Sequence, residues 1–355
     1  YSGATTISAG TLQLGIDNAL PSGAGKAVIT IAGNNKGTNV GAVTTNGSDK
    51  VFAPGTLDIG GYNQAINGLD STTGGFVTNN PTLAYSGSAW TVAAGRQGTK
   101  TLTLGNSIGT TASFNGVIMD GFSVQPGVTA TGFVGAINLV KTGTNTQTMS
   151  GQSTYSGTTV IQEGVIIAAG GTNRLPSTTA VSLGNVGASG LLQLGDGTGA
   201  ISQTIAGLAT SGSGTANAVV GGSASNSTLI LNQTGTAAYA GALGGAGTNQ
   251  NKLNFTLQGG GTLTLNGANT LAGTTTVQGA STLILDSNLA NSAVTVGGAG
   301  AGTLVSNQTL SGLLTVGSGG VVAPGDVLAS EIATLTLNGG LTLNTGGILA
   351  MQIGS

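Results

Sequence analysis

The sequence predicts an all-β protein, and more narrowly a right-handed parallel β-helix (a β-solenoid) built from irregular repeats. Three observations support this prediction. Thr, Val, Ile and Leu occur in short alternating runs interrupted by Gly and Asn-Gly, a pattern typical of strands and turns. Segments free of glycine are mostly too short for ordinary helices. One line of sequence also recurs along the chain, as it does in repeat architectures.

The composition excludes several classes of protein. Of the 355 residues, 5% are charged, against about 25% in an ordinary globular domain. Hydrophobic residues make up 39% and the net charge is only -2, so the chain is expected to fold. Eight Lys and Arg residues are too few for a nucleic-acid surface, and no apolar run approaches the roughly 20 residues of a membrane helix. The absence of Cys and His excludes disulfides, thiolate sites and imidazole catalysis.

The recurring line is YSGATTISAGTLQLG at residues 1–15. It returns as YSGTTVIQEGVIIAAG at 155–170 and, with a leucine first, as LAGTTTVQGASTLILD at 271–286. Similar further lines follow the copies, so each copy is expected to open a structural module of one continuous solenoid. The predicted modules are 1–154 with loop insertions, 155–270, and a shortened 271–355 with a strand-rich end.

Alternation within the line predicts which side chains face inward. Ile7, Leu12 and Leu14 are expected to fill the core, while Gly3 and Gly10 turn the chain. Hairpins would require the chain to reverse at each Asn-Gly. Stacked parallel coils are the better prediction, because equivalent lines then place like residues side by side. Thr and Asn would form ladders outside, and Val, Leu and Ile would fill the interior.

The second copy and the residues before it resemble the autotransporter-associated β-strand repeat. Lys141–Gly143 matches the Lys-Thr-Gly that begins that repeat, and Tyr155–Gly157, Thr159 and Ile161 match its core. The resemblance implies a right-handed parallel β-helix on a bacterial surface, as in large adhesins and passenger domains. The third copy departs from the pattern, with Leu271 in place of the tyrosine. The residues expected to build the repeat are Tyr1, Gly3, Thr5, Ile7, Gly10, Lys141, Gly143, Tyr155, Gly157, Thr159, Ile161, Gly164, Gly273, Thr275 and Val277.

No catalytic residue is expected. The ten acidic residues are scattered, with no close D-x-D or E-x-x-E pair. Glycosidase chemistry needs two carboxylates roughly 5–10 Å apart. Asp17 and Asp286 each follow a copy of the recurring line, and they are expected to lie many coils from one another. No histidine exists to activate a serine. A polysaccharide-active β-helix enzyme is therefore the remote alternative.

No cofactor is expected either. The tandem Gly-Gly-x-Gly-x-Asp line of calcium-binding β-rolls does not occur in the sequence. A single calcium ion held by Asp196 or Asp326 together with backbone carbonyls is the alternative left open.

One aromatic pair lies in the insertion of the first module. Tyr85 and Trp90 are a candidate ligand-contact loop, and a small packing cluster is the plainer alternative. If the protein presents binding loops, they are expected near 34–50 and 85–98.

These observations predict a non-enzymatic extracellular structural protein, a rigid β-helical rod that forms or belongs to a bacterial cell-surface fibre, filament or layer. An adhesin that presents loops to host cells, glycans or other bacteria is the alternative. The expected partners are other copies of the chain or further repeats of the same chain, then glycans or cell-surface proteins. Since few groups are ionised, dense packing of subunits meets little repulsion, which favours an assembly.

Overall fold

The computed structural model of the protein describes residues 1, 3–33, 54–71, 73–81, 83–85, 90–92, 95–105, 111–121, 135–289, 291–325 and 333–351. These residues form 36 strands and no helix, and so include no apolar helix that could cross a bilayer. The chain divides into two compact units, Tyr1–Thr159 and Val160–Ser355. Their boundary lies close to the predicted start of the second module, while the division into three modules stays a prediction.

The first unit is built from short parallel strands and one antiparallel hairpin, β8-β9. Its strands are β1 (Thr5–Ile7), β2 (Thr11–Gln13), β3 (Ile29–Ile31), β4 (Thr56–Asp58), β5 (Gln64–Ile66), β6 (Leu69–Asp70), β7 (Phe76–Thr78), β8 (Leu83–Tyr85), β9 (Trp90–Val92), β10 (Lys100–Leu104), β11 (Thr111–Phe114), β12 (Val117–Ile118), β13 (Ile137–Lys141) and β14 (Thr146–Met149). Strands pair in the orders β1-β3-β6, β2-β4-β7-β12, β5-β10-β13 and β11-β14.

The second unit repeats the arrangement with longer sheets. Strand β15 (Thr159–Ile161) lies at the boundary. The others are β16 (Gly164–Ala168), β17 (Ala180–Leu183), β18 (Gly190–Leu194), β19 (Ser202–Ile205), β20 (Gly207–Thr210), β21 (Ala218–Gly221), β22 (Ser227–Asn232), β23 (Thr236–Tyr239), β24 (Ala242–Leu243), β25 (Leu253–Gln258), β26 (Thr262–Leu265), β27 (Thr274–Val277), β28 (Ser281–Leu285), β29 (Ala293–Val296), β30 (Gly302–Ser306), β31 (Thr309–Leu310), β32 (Leu314–Val316), β33 (Gly320–Pro324), β34 (Thr336–Leu337), β35 (Leu341–Leu343) and β36 (Ile348–Leu349). Strands pair in the orders β17-β20, β16-β18-β21-β24, β19-β22-β25-β27-β29-β32-β35, β23-β26-β28-β30-β33-β36 and β31-β34.

The core of the second unit consists of columns of like residues. The pairing register sets side by side Ile205, Leu231, Leu257, Val277, Val296, Val316 and Leu343. All but Leu343 are fully buried, and each contributes on the order of 1.5–3 kcal/mol to folding. The alternate, outward positions hold a threonine column: Thr256, Thr276, Thr295, Thr315 and Thr342. Stacking of like residues confirms the predicted parallel solenoid and shows that the hairpin alternative is wrong.

Some corners need glycine because the backbone of the adjacent rung is too close for a side chain. A Cβ on Gly151 would lie 1.8 Å from the carbonyl oxygen of Gly116, and one on Gly116 would lie 2.5 Å from that of Gly75. In the second unit, a Cβ on Gly267 would lie 2.0 Å from the carbonyl oxygen of Gly241. None of Gly116, Gly151 and Gly267 has a positive φ. Close approach of stacked turns, rather than left-handed backbone, therefore fixes these positions.

Replacing Gly151 by alanine is expected to destabilise the first unit. The new methyl group would meet a backbone oxygen that cannot rotate away, and such overpacking costs about 1–3 kcal/mol. The matched control is Gly15→Ala, because Gly15 has an ordinary φ and open space around a Cβ. Urea denaturation of both variants measures the difference, and equal losses of stability would contradict the close-approach explanation.

Candidate functional site

Each copy of the recurring line forms two strands joined by a tight corner. The corner residue is Gly10 in the first copy (φ 73°) and Gly164 in the second (φ 76°), a left-handed conformation that glycine adopts without steric cost. In the third copy both Gly279 (φ 65°) and Ala280 (φ 62°) are left-handed. A left-handed alanine costs roughly 1 kcal/mol, so the third corner carries strain that the first two avoid.

A hydrogen-bonded threonine hydroxyl is a shared feature of the copies, and the threonine is buried in the second and third. Thr159 is fully buried, and its Oγ1 lies 2.6 Å from the phenol oxygen of Tyr155, which is also fully buried. The same pair occurs in the first copy between Tyr1 and Thr5 at 2.7 Å. The inward residues that end these strands, which include Ile7, Ile161 and Val277, are all buried. Leu12 on β2, which pairs with β4 only, is 36% exposed, so the inward prediction for it is wrong.

The third copy keeps the threonine but changes its partner. Leu271 stands where the other copies have tyrosine, and it is fully buried. The hydroxyl of Thr275 instead lies 2.8 Å from the hydroxyl of Ser292, which comes from the following line of sequence. A serine therefore replaces the lost phenol, and the buried Thr275 hydroxyl remains hydrogen-bonded.

Glycine at the third position of the line permits a close contact with the preceding rung. A Cβ on Gly157 would lie 2.2 Å from the carbonyl oxygen of Ile137, and one on Gly273 would lie 2.3 Å from that of Leu253. Gly3 has no atom within 4 Å of a Cβ position and no positive φ. The requirement for glycine thus arises from stacking, and the first copy does not make that contact.

Asparagines on the preceding strand cap the recurring line, a role that the sequence analysis missed. The Thr158 N–H donates to Asn138 Oδ1 (2.9 Å), and the Thr274 N–H donates to Asn254 Oδ1 (3.0 Å). Each asparagine lies 20 residues before the threonine that it caps. That common spacing is the signal that could have revealed the contact.

Lys141 of the Lys-Thr-Gly sequence is fully buried, at an inward position beside Leu104. Its ammonium group donates to the carbonyl oxygens of Thr142 (2.7 Å) and Gly143 (2.7 Å) and to Asn145 Oδ1 (2.6 Å). Burying a charge is costly unless it is hydrogen-bonded, and charge-assisted bonds are among the stronger ones. Lys141 therefore closes the turn that follows β13, with Gly143 left-handed within it (φ 67°).

Three buried glutamines replace missing backbone partners. Each uses both ends of its amide to bind the N–H and the C=O of one leucine on another coil, and thus acts as a short piece of strand. The pairs are Gln64 with Leu20 (3.2 and 3.2 Å), Gln147 with Leu69 (2.9 and 2.9 Å), and Gln203 with Leu175 (3.1 and 2.9 Å).

Two of these leucines lie in equivalent corners that begin with a left-handed asparagine. Asn18 (φ 50°) accepts a hydrogen bond from the Ala65 N–H (2.9 Å), and Asn173 (φ 52°) accepts one from the Thr204 N–H (2.8 Å). Asn288 of the third module accepts from the Thr309 N–H (3.1 Å). The asparagine contact is thus made in all three modules.

Four of the described carboxylates, Asp17, Asp58, Asp120 and Asp196, accept hydrogen bonds from backbone N–H groups. Asp58 is buried and accepts four hydrogen bonds, from the N–H of Gly60, both nitrogens of Asn80, and the side chain of Gln13. Asp120 Oδ1 accepts from the Ile137 N–H at 3.0 Å. Among the described residues, no three His, Cys, Asp or Glu side chains lie close enough together to hold a metal ion.

Of the two aspartates considered as calcium ligands, Asp196 and Asp326, the structure describes only Asp196. Asp196 Oδ1 accepts hydrogen bonds from the N–H (2.8 Å) and the hydroxyl of Thr198, and thereby closes its own turn. Asp326 lies outside the described residues. A calcium ion at either position stays a prediction.

The candidate ligand loop forms the hairpin β8-β9, which places Tyr85 opposite Trp90 in the antiparallel register. The second candidate loop, 34–50, lies outside the described residues.

After the hairpin, the guanidinium of Arg96 stacks on the ring of Tyr62, 3.3 Å from its centre. This cation–π contact holds the returning chain against the line that contains Tyr62. The sequence analysis missed it, because nothing in the sequence links the two residues.

The described residues thus form a parallel β-solenoid in which the recurring line supplies tight corners. Three segments, 1–14, 139–168 and 255–285, match the family model described as passenger-associated-transport-repeat. The predicted resemblance to the autotransporter-associated repeat is thereby confirmed. The matched segments amount to about a fifth of the chain. Comparison with curated proteins and with solved structures gave no match.

The two buried tyrosines predict a loss of stability in alkali. Burial raises the pKa of Tyr155, with the Thr159 hydrogen bond opposing by less, and burial likewise raises the pKa of Tyr239. Each phenol stays neutral in the fold but ionises in the unfolded chain near pH 10. The stabilisation is therefore complete below about pH 10 and is lost as pH rises further, by up to about 1.4 kcal/mol per pH unit for each tyrosine.

Denaturant titrations from pH 8 to alkaline pH measure this effect, with the double variant Tyr155→Phe, Tyr239→Phe as the control. The variant is expected to start less stable, by about 1 kcal/mol for each lost hydrogen bond, and to show a shallower alkaline decline. Parallel curves for the two proteins would contradict the prediction.

Proposed function

We propose that the chain is a non-enzymatic structural protein of the bacterial cell surface, a β-solenoid that forms or belongs to an extracellular fibre, filament or layer. The observation that carries the proposal is the use of the interior polar groups. The buried amides of Gln64, Gln147 and Gln203, together with Lys141 and Asp58, are hydrogen-bonded to backbone or to neighbouring amides, which supports a role in holding the coils together. The match to passenger-associated repeats supports an exported location.

The proposed function includes the absence of catalysis and of a cofactor. Asp58 and Asp120 each accept hydrogen bonds from several N–H donors, so the carboxylate oxygens are engaged in contacts that hold the chain together. A chain with no histidine also lacks the usual group for proton transfer near neutral pH.

An adhesin is the second candidate, and the hairpin β8-β9 favours it. This hairpin interrupts the parallel stacking and pairs an aromatic residue on each strand, Tyr85 opposite Trp90. Aromatic side chains supply large, amphipathic contact area at binding surfaces. In this alternative the solenoid is a support and the hairpin contacts a glycan or a surface protein.

The structural role is tested by incubating the purified chain with a panel of bacterial and host polysaccharides and by imaging it in negative stain. We expect ordered filaments or layers above a threshold concentration and no release of reducing ends. Release of reducing ends that is lost on heat unfolding would overturn the proposal in favour of the enzyme.

The same preparation distinguishes the adhesin on a glycan array. Monodisperse rods that bind a glycan, with binding lost in Trp90→Ala and Tyr85→Ala but kept in Tyr1→Ala, would support the adhesin over the structural role. Tyr1 is a suitable control because it is an exposed aromatic residue outside the hairpin.

A further inference from the structure

Two of the chain's few cations lie together in the segment that follows the hairpin β8-β9. The ammonium group of Lys100 donates to the carbonyl oxygen of Gly95, the residue next to Arg96 (2.8 Å). The sequence from 71 to 119 contains these two cations and no acidic residue. In a chain of which only 5% is charged, this segment is therefore a local concentration of positive charge.

The turn that carries Tyr62 fixes the position of Arg96. Gly61 in this turn is left-handed (φ 83°), and its N–H donates to Oδ1 of the buried Asn79 (2.8 Å). A Cβ on Gly61 would lie 2.9 Å from the Cβ of Arg96, so the two chain segments are in direct contact. The fold therefore holds the arginine in place before any ligand binds.

Stacking on Tyr62 leaves the hydrogen-bonding edges of the Arg96 guanidinium accessible. The guanidinium carbon lies 3.3 Å from the centre of the ring, so the aromatic ring covers one face of the group. The five N–H donors lie in the plane of the guanidinium, and none of them bonds to an acceptor among the described residues. Within that part of the chain, neither Arg96 nor Lys100 forms an ion pair. The structure thus presents two adjacent cations without a counter-ion.

Asn63 adds a neutral donor beside the two cations. Its Oδ1 accepts a hydrogen bond from the N–H of Thr101, the residue after Lys100 (2.9 Å). Asn63 is exposed, and its Nδ2 group has no acceptor among the described residues. Asp17 accepts a hydrogen bond from the Asn63 N–H (2.8 Å), so this nearby carboxylate is bound to backbone rather than to either cation.

These donors match the chemistry of an acidic sugar. A guanidinium binds an oxyanion through two parallel hydrogen bonds, and an ammonium group adds a point charge. The amide of Asn63 is suited to a sugar hydroxyl, which accepts as well as donates. Two cations are too few for a nucleic acid, whose binding depends on many phosphate contacts.

We propose that Arg96, Lys100 and Asn63 form a binding site for an acidic polysaccharide. Arg96 binds the oxyanion of one sugar, Lys100 adds a second charged contact, and Asn63 donates to a neighbouring hydroxyl. Tyr62 is a positioning residue, because it holds the guanidinium flat. The site attaches the solenoid to an acidic polymer, which goes beyond the structural function proposed above.

Biolayer interferometry of the full chain on immobilised polymers tests the site. Hyaluronate carries carboxylates, dextran sulfate carries sulfates, and dextran carries neither. The wild type is expected to bind at least one acidic polymer but not dextran, with an affinity that falls as salt rises. The acidic polymer that is bound more tightly identifies the oxyanion.

Substitutions at the two cations measure their contribution. Arg96→Gln and Lys100→Gln are each expected to weaken binding by about tenfold or more, because hydrogen bonds to charged groups are among the stronger ones. Arg96→Lys keeps the charge but loses the planar fork, so its affinity is expected to lie between those of the wild type and Arg96→Gln.

Tyr62 is tested by a rescue. Tyr62→Leu is expected to weaken binding, whereas Tyr62→Phe keeps the aromatic face and is expected to bind like the wild type. In an Arg96→Gln background, Tyr62→Leu is expected to cause no further loss, because the ring acts through the arginine. A further loss of the same size in that background would contradict the positioning role.

Lys252→Gln is the matched control, since it removes one cation from the second unit and is expected to bind like the wild type. Thermal melts of all variants establish that they fold. A wild-type chain that binds neither acidic polymer would overturn the proposal, and so would an equal loss of binding in Lys252→Gln and Arg96→Gln. Binding that is lost in Trp90→Ala but kept in Arg96→Gln would overturn it in favour of the hairpin.

Negative-stain imaging of the same variants keeps the two proposals apart. Arg96→Gln and Lys100→Gln are expected to assemble like the wild type, because neither side chain contacts the core columns. Loss of polysaccharide binding with intact assembly is the result expected for these variants. Assembly that fails in the wild type would count against the structural function alone.

Discussion

Main-chain hydrogen bonding between successive rungs is the constraint on which the rest of the structure depends. Parallel strands align like residues, so the register that pairs the backbone also builds the core column from Ile205 to Val316. At some corners, such as those of Leu69 and Leu175, backbone groups have a side-chain amide rather than the backbone of an adjacent rung as their partner. A buried N–H or C=O without a partner costs about 1–3 kcal/mol, so such groups require a substitute.

Side-chain amides supply those substitutes, and this explains the polar content of the core. Gln147 and Gln203 bind both backbone groups of a leucine, while Asn138 and Asn254 cap the threonine of the recurring line. Lys141 performs a related task with its ammonium group. Amides stay neutral at every pH and fit a backbone pair as both donor and acceptor. A chain of this kind needs few ionised residues, and its surface then offers little repulsion to a neighbouring copy.

The sequence was sufficient to predict the parallel stacking, because alternation and recurrence of one line are local properties of the chain. The corner contacts could not be predicted from it. Gln147 lies 78 residues from Leu69, and Gln203 lies 28 residues from Leu175, so no fixed spacing connects these pairs. The replacement of a tyrosine by Ser292 as the partner of Thr275 is equally non-local. Hydropathy also opposes an inward lysine, and only the resemblance to a known repeat marked Lys141 as structural.

Amide hydrogen exchange measured by NMR tests most directly whether side chains replace missing strands at the corners. The exchange rates to measure are those of the Leu69 and Leu175 N–H groups, because each donates to a glutamine side chain rather than to a backbone carbonyl. The account predicts that they exchange as slowly as the strand amide of Leu139. Exchange as fast as that of Val186, in an exposed turn, would contradict it.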